Sequence, residues 1–530
     1  MKKYINIKTL VLFLTLGLAT TSCSEDFLDR PSEDSYSSDQ FYNTDEQVAR
    51  TTYGMYGAMW APYYTKNFYA LSELSSGNCL AYADGPELIQ FKLTSDSPIL
   101  LDPWRACFAI IAQANNLINN IEKNATADVN RAVIKNTIAE AHFFRSVAYF
   151  YLVRLYGPVP IIEDNLALAK DPMVNTNRVE DVYTFIENDL KFAAANLKSK
   201  IRSRSASGEN IFVSQGSAEA FLAKVYLYEK KYADSKTMAE KVINSGEFGL
   251  LPNFADLFLT SKNNNEESIY SWQWSGAINT YGGGNFSNIQ YGLDILNDNA
   301  SYGATYVPSN DVQDAFEIGD LRRKESFMIY GDSYPNLKGD GVVGFVMDKT
   351  KYPDALANTG AAVKKYVVGQ VTSETGPADG WGGMSNCNYI MRYADLLLIH
   401  AEATMAGADE TSNAAAKESY NKVRARAGLS ILDSNVPLTK TALFHERRVE
   451  FAFEGEFWFD LGRLPRQEAI NIISQQDRGF DSQGVIHYTP TPTDFIYPKP
   501  DVEVRKNPKL KEAPVPYTCL LYTSPSPRDS

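Results

Sequence analysis

The stretch Thr137–Ile162, TIAEAHFFRSVAYFYLVRLYGPVPII, admits few folds. Phe144, Val147, Ala148, Tyr151, Leu152 and Leu155 recur at steps of three and four, the period that places side chains on one helix face. Phe143, Tyr149, Phe150, Val153 and Tyr156 occupy the other faces. A helix that is apolar nearly all round is buried on every side, so a large helical core has to enclose it. Gly157-Pro158 and Pro160 end it, because proline neither donates to nor continues the helical ladder. The stretch carries no chemistry of its own.

The flanking chain supplies that core. With 530 residues, 44% of them hydrophobic, the chain is long enough to bury roughly three quarters of its unfolded surface. The aromatic stripe Tyr53, Tyr56, Trp60, Tyr63 and Tyr64 reads as core. Helices are predicted around Trp104–Glu122 and over Val179–Leu197, with a hairpin at Ser217–Glu229 and Tyr232–Ser245. In that hairpin Phe221, Leu222, Val225 and Tyr228 face Ala239, Val242 and Ile243 across the Lys230-Lys231 turn, and Gly246 caps the end. The pattern is similar to tetratricopeptide repeats, at irregular spacing. Near residue 265 the composition changes. Ile269–Trp274 alternates, with Tyr270, Trp272 and Trp274 on one face of a short strand. Residues 307–385 are mixed and loop-rich, and helices resume at Ile390–Ala406, Ala414–Ala427 and Lys440–Glu454. The fold class is mostly α, tetratricopeptide-like hairpins with a loop-rich insertion carrying short strands.

The formal charge is −13. So acidic a chain is a poor nucleic-acid binder, because such binding depends on cationic contacts. Lys2, Lys3 and Lys8 precede the apolar run Leu10–Ala19, which has signal-peptide form and is too short to span a bilayer. The small residues before Cys23 read either as a plain secretion signal or as a lipobox; we take the lipobox, with Cys23 acylated and residues 1–22 removed. Thr20 departs from the apolar residue usual there. Residues 24–45 read as a tether over the surface. No other apolar run reaches 18 residues. Thr518–Ser530, TCLLYTSPSPRDS, resembles translated adapter sequence and is set aside with Cys519. That leaves Cys79, Cys107 and Cys387, too few for a disulfide framework and without the CxxC spacing of a zinc site.

The familiar catalytic patterns are absent or out of context. Gly339–Gly344 matches GxGxxG, but no helix follows to meet a phosphate, so it reads as a Gly-rich loop. His445-Glu446 lacks the second histidine of a zincin, and there is no GxSxG elbow. His142, His400 and His445 fall on predicted helices and read as packed or surface residues. No carboxylate pair stands out as a glycosidase acid and nucleophile. Glu446, Arg447, Arg448, Glu450 and Glu454 alternate in sign and read as ion pairs within one helix. No catalytic residue, metal site or cofactor is expected, and a structural calcium ion is left open.

The stretch that suggests a ligand is Trp272–Tyr306. Trp272, Trp274, Tyr281, Phe286, Tyr291, Tyr302 and Tyr306 are interleaved there with Asn279, Asn285, Asn288, Asn297 and Asp298. Aromatic planes cover the C–H face of a sugar, while amides and carboxylates bond its hydroxyls. Each aromatic taken singly reads more readily as core, and it is the cluster in a loop region that points to a ligand. Asn78, Tyr82 and Asp84, in the polar loop Ser72–Pro86, and Trp381 are placed to converge on the same site. The candidate ligand residues are thus Asn78, Tyr82, Asp84, Trp272, Trp274, Tyr281, Asn285, Tyr291, Tyr302 and Trp381.

Taken together, Cys23–Asp29, Ala139–Ile162, Ser217–Leu250, Glu266–Trp274, Met391–Ala403 (MRYADLLLIHAEA), Glu446–Arg463 (ERRVEFAFEGEFWFDLGR) and Tyr497–Leu510 resemble the hallmark segments of the SusD/RagB family, in order and across essentially the whole chain. The resemblance implies a signal peptide at 1–22, an N-terminal helical region at 23–250 and a C-terminal region with ligand loops at 265–517, followed by the non-native tail 518–530. It implies helical hairpins that form a platform for a partner barrel. It also implies an outer-membrane lipoprotein facing the exterior, which captures an oligosaccharide or polysaccharide for a TonB-dependent (SusC-like) transporter and breaks no bond. Its partners would be that transporter, the glycan and outer-membrane lipid through the acyl anchor. Peptide or glycopeptide capture for the same kind of importer is the alternative, and a glycosidase a more distant one.

Overall fold

The computed structural model describes residues 42–65, 67–81, 85–199, 208–275, 284–293, 296, 303–339, 342–351, 359–368, 384–481 and 484–517. Its frame is a run of helices, each packed on the next: α1 (Leu101–Asn124), α2 (Arg131–Tyr156), α3 (Val179–Asn196), α4 (Gln215–Tyr228), α5 (Tyr232–Ser245), α6 (Tyr393–Met405) and α7 (Ala414–Arg426). Then α8 (Lys440–Glu450) packs against α6, followed by α9 (Phe457–Arg463) and α10 (Arg466–Ser474). From Thr137 to Tyr156 every residue of α2 is buried. Asn130 caps its start by accepting from the Ala132 N–H, and Gly157, at φ 66°, ends it. Gly246 takes the left-handed conformation that closes α5, as its position predicts.

Polar residues within this buried stretch of α2 find partners. Glu140 accepts from Thr52 Oγ1 at 2.6 Å. His142 and Arg145 both meet Asp189 of α3, and Arg145 Nη1 donates to Asn115 of α1 at 2.7 Å. One polar cluster thereby fixes the order of three helices.

The strands are short: β1 (Cys79–Ala81), β2 (Ser268–Trp272), β3 (Tyr306–Pro308), β4 (Phe327–Ile329), β5 (Ser333–Gly339), β6 (Val342–Val346), β7 (Ala361–Val363) and β8 (Asn388–Arg392). They pair as antiparallel ribbons β1–β3, β2–β8, β4–β7 and β5–β6. The Gly-rich stretch is the β5–β6 hairpin, in which Gly339 pairs with Val342. The insertion leaves the helical frame after α5 and returns through β8 straight into α6, yet α5 and α6 pack together. Pairing of β2 with β8 closes the neck of that excursion.

Three expectations are corrected here. Ile390–Arg392, the start of the predicted helix Ile390–Ala406, belongs instead to β8, because it fills the ladder of β2. The polar loop Ser72–Pro86 is largely interior: Ser72, Ser75, Ser76 and Asn78 are buried, and Ala70–Leu74 is helical. Its polar groups are met by Arg478 and Gln476, which donate to the Ser75 and Ser76 carbonyls at 2.7 and 2.9 Å. Third, the charges of Glu446–Glu454 pair across elements rather than within one helix. Arg392 of β8 meets Glu267, Glu450 and Glu454 at 2.7, 2.9 and 2.8 Å. Arg322 meets Asp320, Glu446 and Glu450, and Lys365 meets Glu454. Burial pushes the Glu450 carboxyl up, but Arg426, Arg392, Arg322 and Lys365 outweigh it and hold the group well below the usual carboxylate range.

At the other end of β2, Trp272 is fully buried. It stacks on Trp60 at 5.1 Å and meets the edges of Tyr63, Tyr64 and Phe68. Beside it the chain passes so close that a Cβ on Gly57 would lie 1.9 Å from the Gln273 carbonyl oxygen. Trp272→Ala is expected to lower the unfolding free energy by about 3–5 kcal/mol in denaturant titrations. The same change at exposed Val342 should cost no more than about 0.5 kcal/mol.

Candidate functional site

The predicted ligand residues divide into two sets. Trp272, Trp274, Asn285, Tyr291 and Asn78 are core, which corrects their assignment as ligand contacts. Trp274 stacks on Tyr64 at 4.5 Å and donates Nε1 to Asn388 Oδ1 at 2.6 Å. Asn388 in turn donates to Tyr69 Oη at 2.8 Å. Asn285 accepts from Tyr64 Oη at 2.5 Å and donates to the Asn386 carbonyl at 2.6 Å. Tyr291 packs its ring 4.7 Å from that of Tyr69. Buried amides whose donors and acceptors are engaged this way are structural. Aromatic and amide residues that suit a sugar also suit a wet core, which is why composition alone did not separate the two.

Tyr82, Asp84, Tyr281, Tyr302, Trp381 and Cys23 lie outside the described residues. What the structure does describe is where the chain leaves for the first five. Ala81 pairs with Tyr306 at the end of the β1–β3 ribbon. The Ala304 N–H donates to the Gly292 carbonyl at 2.7 Å. The Asn285 N–H donates to the Met384 carbonyl at 2.8 Å. The short helix Ser287–Tyr291 joins these points, because it packs on β3 and Ser287 Oγ bonds Tyr69 and Asn388 at 2.8 and 3.1 Å. Four segments thus depart from one knot of buried tyrosines, asparagines and Ser287.

Asn78 has a different task. Its Nδ2 donates to Glu73 Oε2 at 3.1 Å, its Oδ1 accepts from Arg448 at 3.0 Å, and the Gly455 N–H donates to Glu73 Oε1 at 2.5 Å. Burial raises the Glu73 carboxyl to about 7, against those hydrogen bonds, which lower it. Glu140 is likewise raised by burial to about 7, against hydrogen bonds from Thr52, Tyr56 and Asn136. Both acids are enclosed. Among the described residues no group of three or more His, Cys, Asp and Glu is placed to hold a metal ion. No described helix is long and apolar enough to cross a membrane. Cys79, Cys107 and Cys387 are free and buried.

Cavities of about 160, 270 and 390 Å³ are lined by described residues, and none of the three touches a predicted ligand residue. The one of about 390 Å³ includes Arg154. Its signal in the sequence is an arginine in the apolar last turns of the helix with no acid at i±3 or i±4, a signal that Arg145 shares.

Comparison with known proteins bears on the whole chain. The model described as SusD family matches residues 223–516, and one described as starch-binding associating with outer membrane matches residues 26–227. A SusD-like protein of Bacteroides ovatus is 29% identical, over 98% of this chain and 100% of its own length. SusD-like protein P2 of Formosa agariphila is 26% identical, over 96% of this chain and 99% of its own length. A crystal structure described as solved with xylogluco-oligosaccharide superposes with a TM-score of 0.77 at 26% identity, covering 89% of this chain and 99% of that one.

The raised carboxyl of Glu73 sets a pH dependence. Between its ordinary 4.5 and about 7 the folded chain holds a proton that the unfolded chain has released. The resulting stability is complete below 4.5 and is lost as pH rises through 7. Glu73→Gln should flatten this fall, reducing the loss of unfolding free energy between pH 5 and pH 8 by up to about 3 kcal/mol, as read by denaturant titration at each pH.

Proposed function

The chain belongs to the SusD family, and from that premise we propose that it binds an oligosaccharide or polysaccharide outside the cell and passes it to a TonB-dependent transporter of the outer membrane. We propose that Cys23 carries the acyl anchor after residues 1–22 are removed. Two or more acyl chains at about 0.8 kcal/mol per buried CH₂ make such attachment stable. The match to a starch-binding, outer-membrane-associating family supports this location, and the relative solved with xylogluco-oligosaccharide supports a glycan as ligand. No bond is broken in this reading.

The observation that carries the proposal within the chain is the knot at which Ala81, Asn285, Gly292, Ala304 and Met384 meet. Each segment bearing Tyr82 and Asp84, Tyr281, Tyr302 or Trp381 has at least one end there. Rings on a rigid base stack on the faces of successive sugars, and Asp84 bonds hydroxyls. A rigid base keeps the entropy lost on binding small.

Affinity electrophoresis in gels containing xyloglucan, laminarin or mucin glycans tests the proposal. Migration should be retarded by at least one of them, with no reducing sugar released. Replacing Tyr82, Tyr281, Tyr302 and Trp381 together by alanine should abolish retardation. Undiminished binding would remove the site from these residues, and free passage through every gel would count against a glycan ligand. Cys23→Ala should move the chain from the membrane fraction to the soluble one.

A further inference from the structure

A pocket of about 390 Å³ opens where the C-terminal end of α2 meets α3, α4 and α9. That volume is within the range of small-ligand sites. Its walls are aromatic, with Tyr183, Tyr228, Trp458, Phe459 and Phe495. Arg154, Lys230, Arg463 and Arg466 give it charge, and no aspartate or glutamate among the described residues lines it. This is a concentration of cations within a chain whose formal charge is −13.

Burying a guanidinium without an acid is costly, and elsewhere the chain avoids it. Arg145, Arg322, Arg392 and Arg447 are all buried, and each meets carboxylates at 2.6–3.0 Å. Arg478 has no carboxylate partner among the described residues, but three main-chain carbonyls and Gln476 Oε1 accept from it.

Arg154 is different. It is 8% exposed, and Phe150, Tyr151, Tyr228 and Phe459 surround its guanidinium carbon at 3.9–5.5 Å. Nε donates to the Phe150 carbonyl at 3.1 Å, and Nη1 reaches Tyr228 Oη at 3.5 Å. Among the described residues no carboxylate stands within ion-pair range of Arg154, and Glu456 acts on it only from farther away. Arg466 lies over the Phe495 ring at 4.0 Å, and its buried Nη1 has no partner among the described residues. Phe495 stacks in turn on Trp458 at 5.1 Å with the planes 3° apart. The neighbouring acids are already engaged: Glu456 with Lys224, Asp460 with Arg447 and Arg463, and Glu402 with Arg463.

We infer that this pocket is a second ligand site, which takes a carboxylate carried on a flat apolar stem. Arg154 and Arg466 receive the charge, and Trp458 and Phe459 cover the stem. A carboxylate matches the guanidinium fork and supplies the missing acceptors. An aromatic stem packs on rings already in place, at offset or edge-on geometry. A neutral sugar would leave both guanidinium groups without an anion. The same chemistry comes from a free aryl acid or from the C-terminus of a chain ending in an aromatic residue. The site shares no residue with the knot of the proposed glycan site and stands independently of it.

Isothermal titration of the full chain tests the inference with two pairs of probes: 3-phenylpropionate against 3-phenylpropionamide, and the peptide Gly-Gly-Gly-Phe with a free against an amidated terminus. At least one free carboxylate should bind, and its amide at least about tenfold more weakly. Tighter binding of the peptide acid assigns the site to a chain terminus, and tighter binding of 3-phenylpropionate to a small acid. Arg466→Gln, at a partly exposed position, should weaken binding at least about tenfold with an unchanged melting temperature. Lys230→Gln, on the exposed turn, should weaken it less and reduce its salt dependence. Equal affinity of acid and amide, no saturation by either acid at about 10 mM, or unchanged affinity in Arg466→Gln would each overturn the assignment.

Discussion

The β2–β8 ribbon is the constraint on which the rest of the structure depends. The helical frame runs without a break from α1 to α7, although the chain departs between α5 and α6 for the whole span 246–392. Such a frame closes only if exit and return lie side by side, and pairing of Ser268–Trp272 with Asn388–Arg392 puts them there. Each end of the ribbon is fixed by a different force. At one end Trp272 fills an aromatic cage built from Trp60, Tyr63, Tyr64 and Phe68. At the other, Arg392 meets Glu267, Glu450 and Glu454, and the Tyr393 N–H donates to the Glu267 carbonyl at 2.9 Å. Apolar burial supplies the stabilisation, and the ion cluster supplies direction, since a displaced guanidinium would leave several charges unpaired.

The same two forces recur outward. Arg322 and Lys365, both from the insertion, join the ion cluster of α8 and its extension, so the insertion is docked by charge as well as by packing. Tyr64 and Trp274 pass the aromatic cage on to the knot of Asn285, Ser287 and Asn388. From this knot the segments carrying the proposed glycan residues depart. The knot is thus continuous with the neck of the insertion.

Much of this was legible in the sequence, and the exceptions have physical reasons. The long apolar helix, the α4–α5 hairpin and the Gly246 cap follow from local periodicity and turn chemistry, and these survive folding unchanged. Asn388–Arg392 did not read as strand, because its partner lies more than a hundred residues upstream. The signs along Glu446–Glu454 read as a self-paired helix because the true partners, Arg322, Arg392 and Lys365, belong to distant segments. Trp272, Trp274, Asn285 and Tyr291 read as sugar contacts because a polar aromatic core and a sugar site draw on the same residues. Only burial separates the two. Arg154 carried the opposite signal, a lone charge amid apolar neighbours, and its meaning emerged once no described acid was found to line its pocket or to pair with it.

The central claim is that the neck of the insertion is part of the global core rather than a local hinge. Native-state hydrogen exchange of main-chain amides measures this most directly. Amides in Ile269–Trp272 and Tyr389–Met391 should exchange only through global unfolding, with the same free energy as those of Phe143–Leu152. Exchange of the ribbon amides at a distinctly lower free energy than those of the helix would show the neck opening on its own, and would contradict the account.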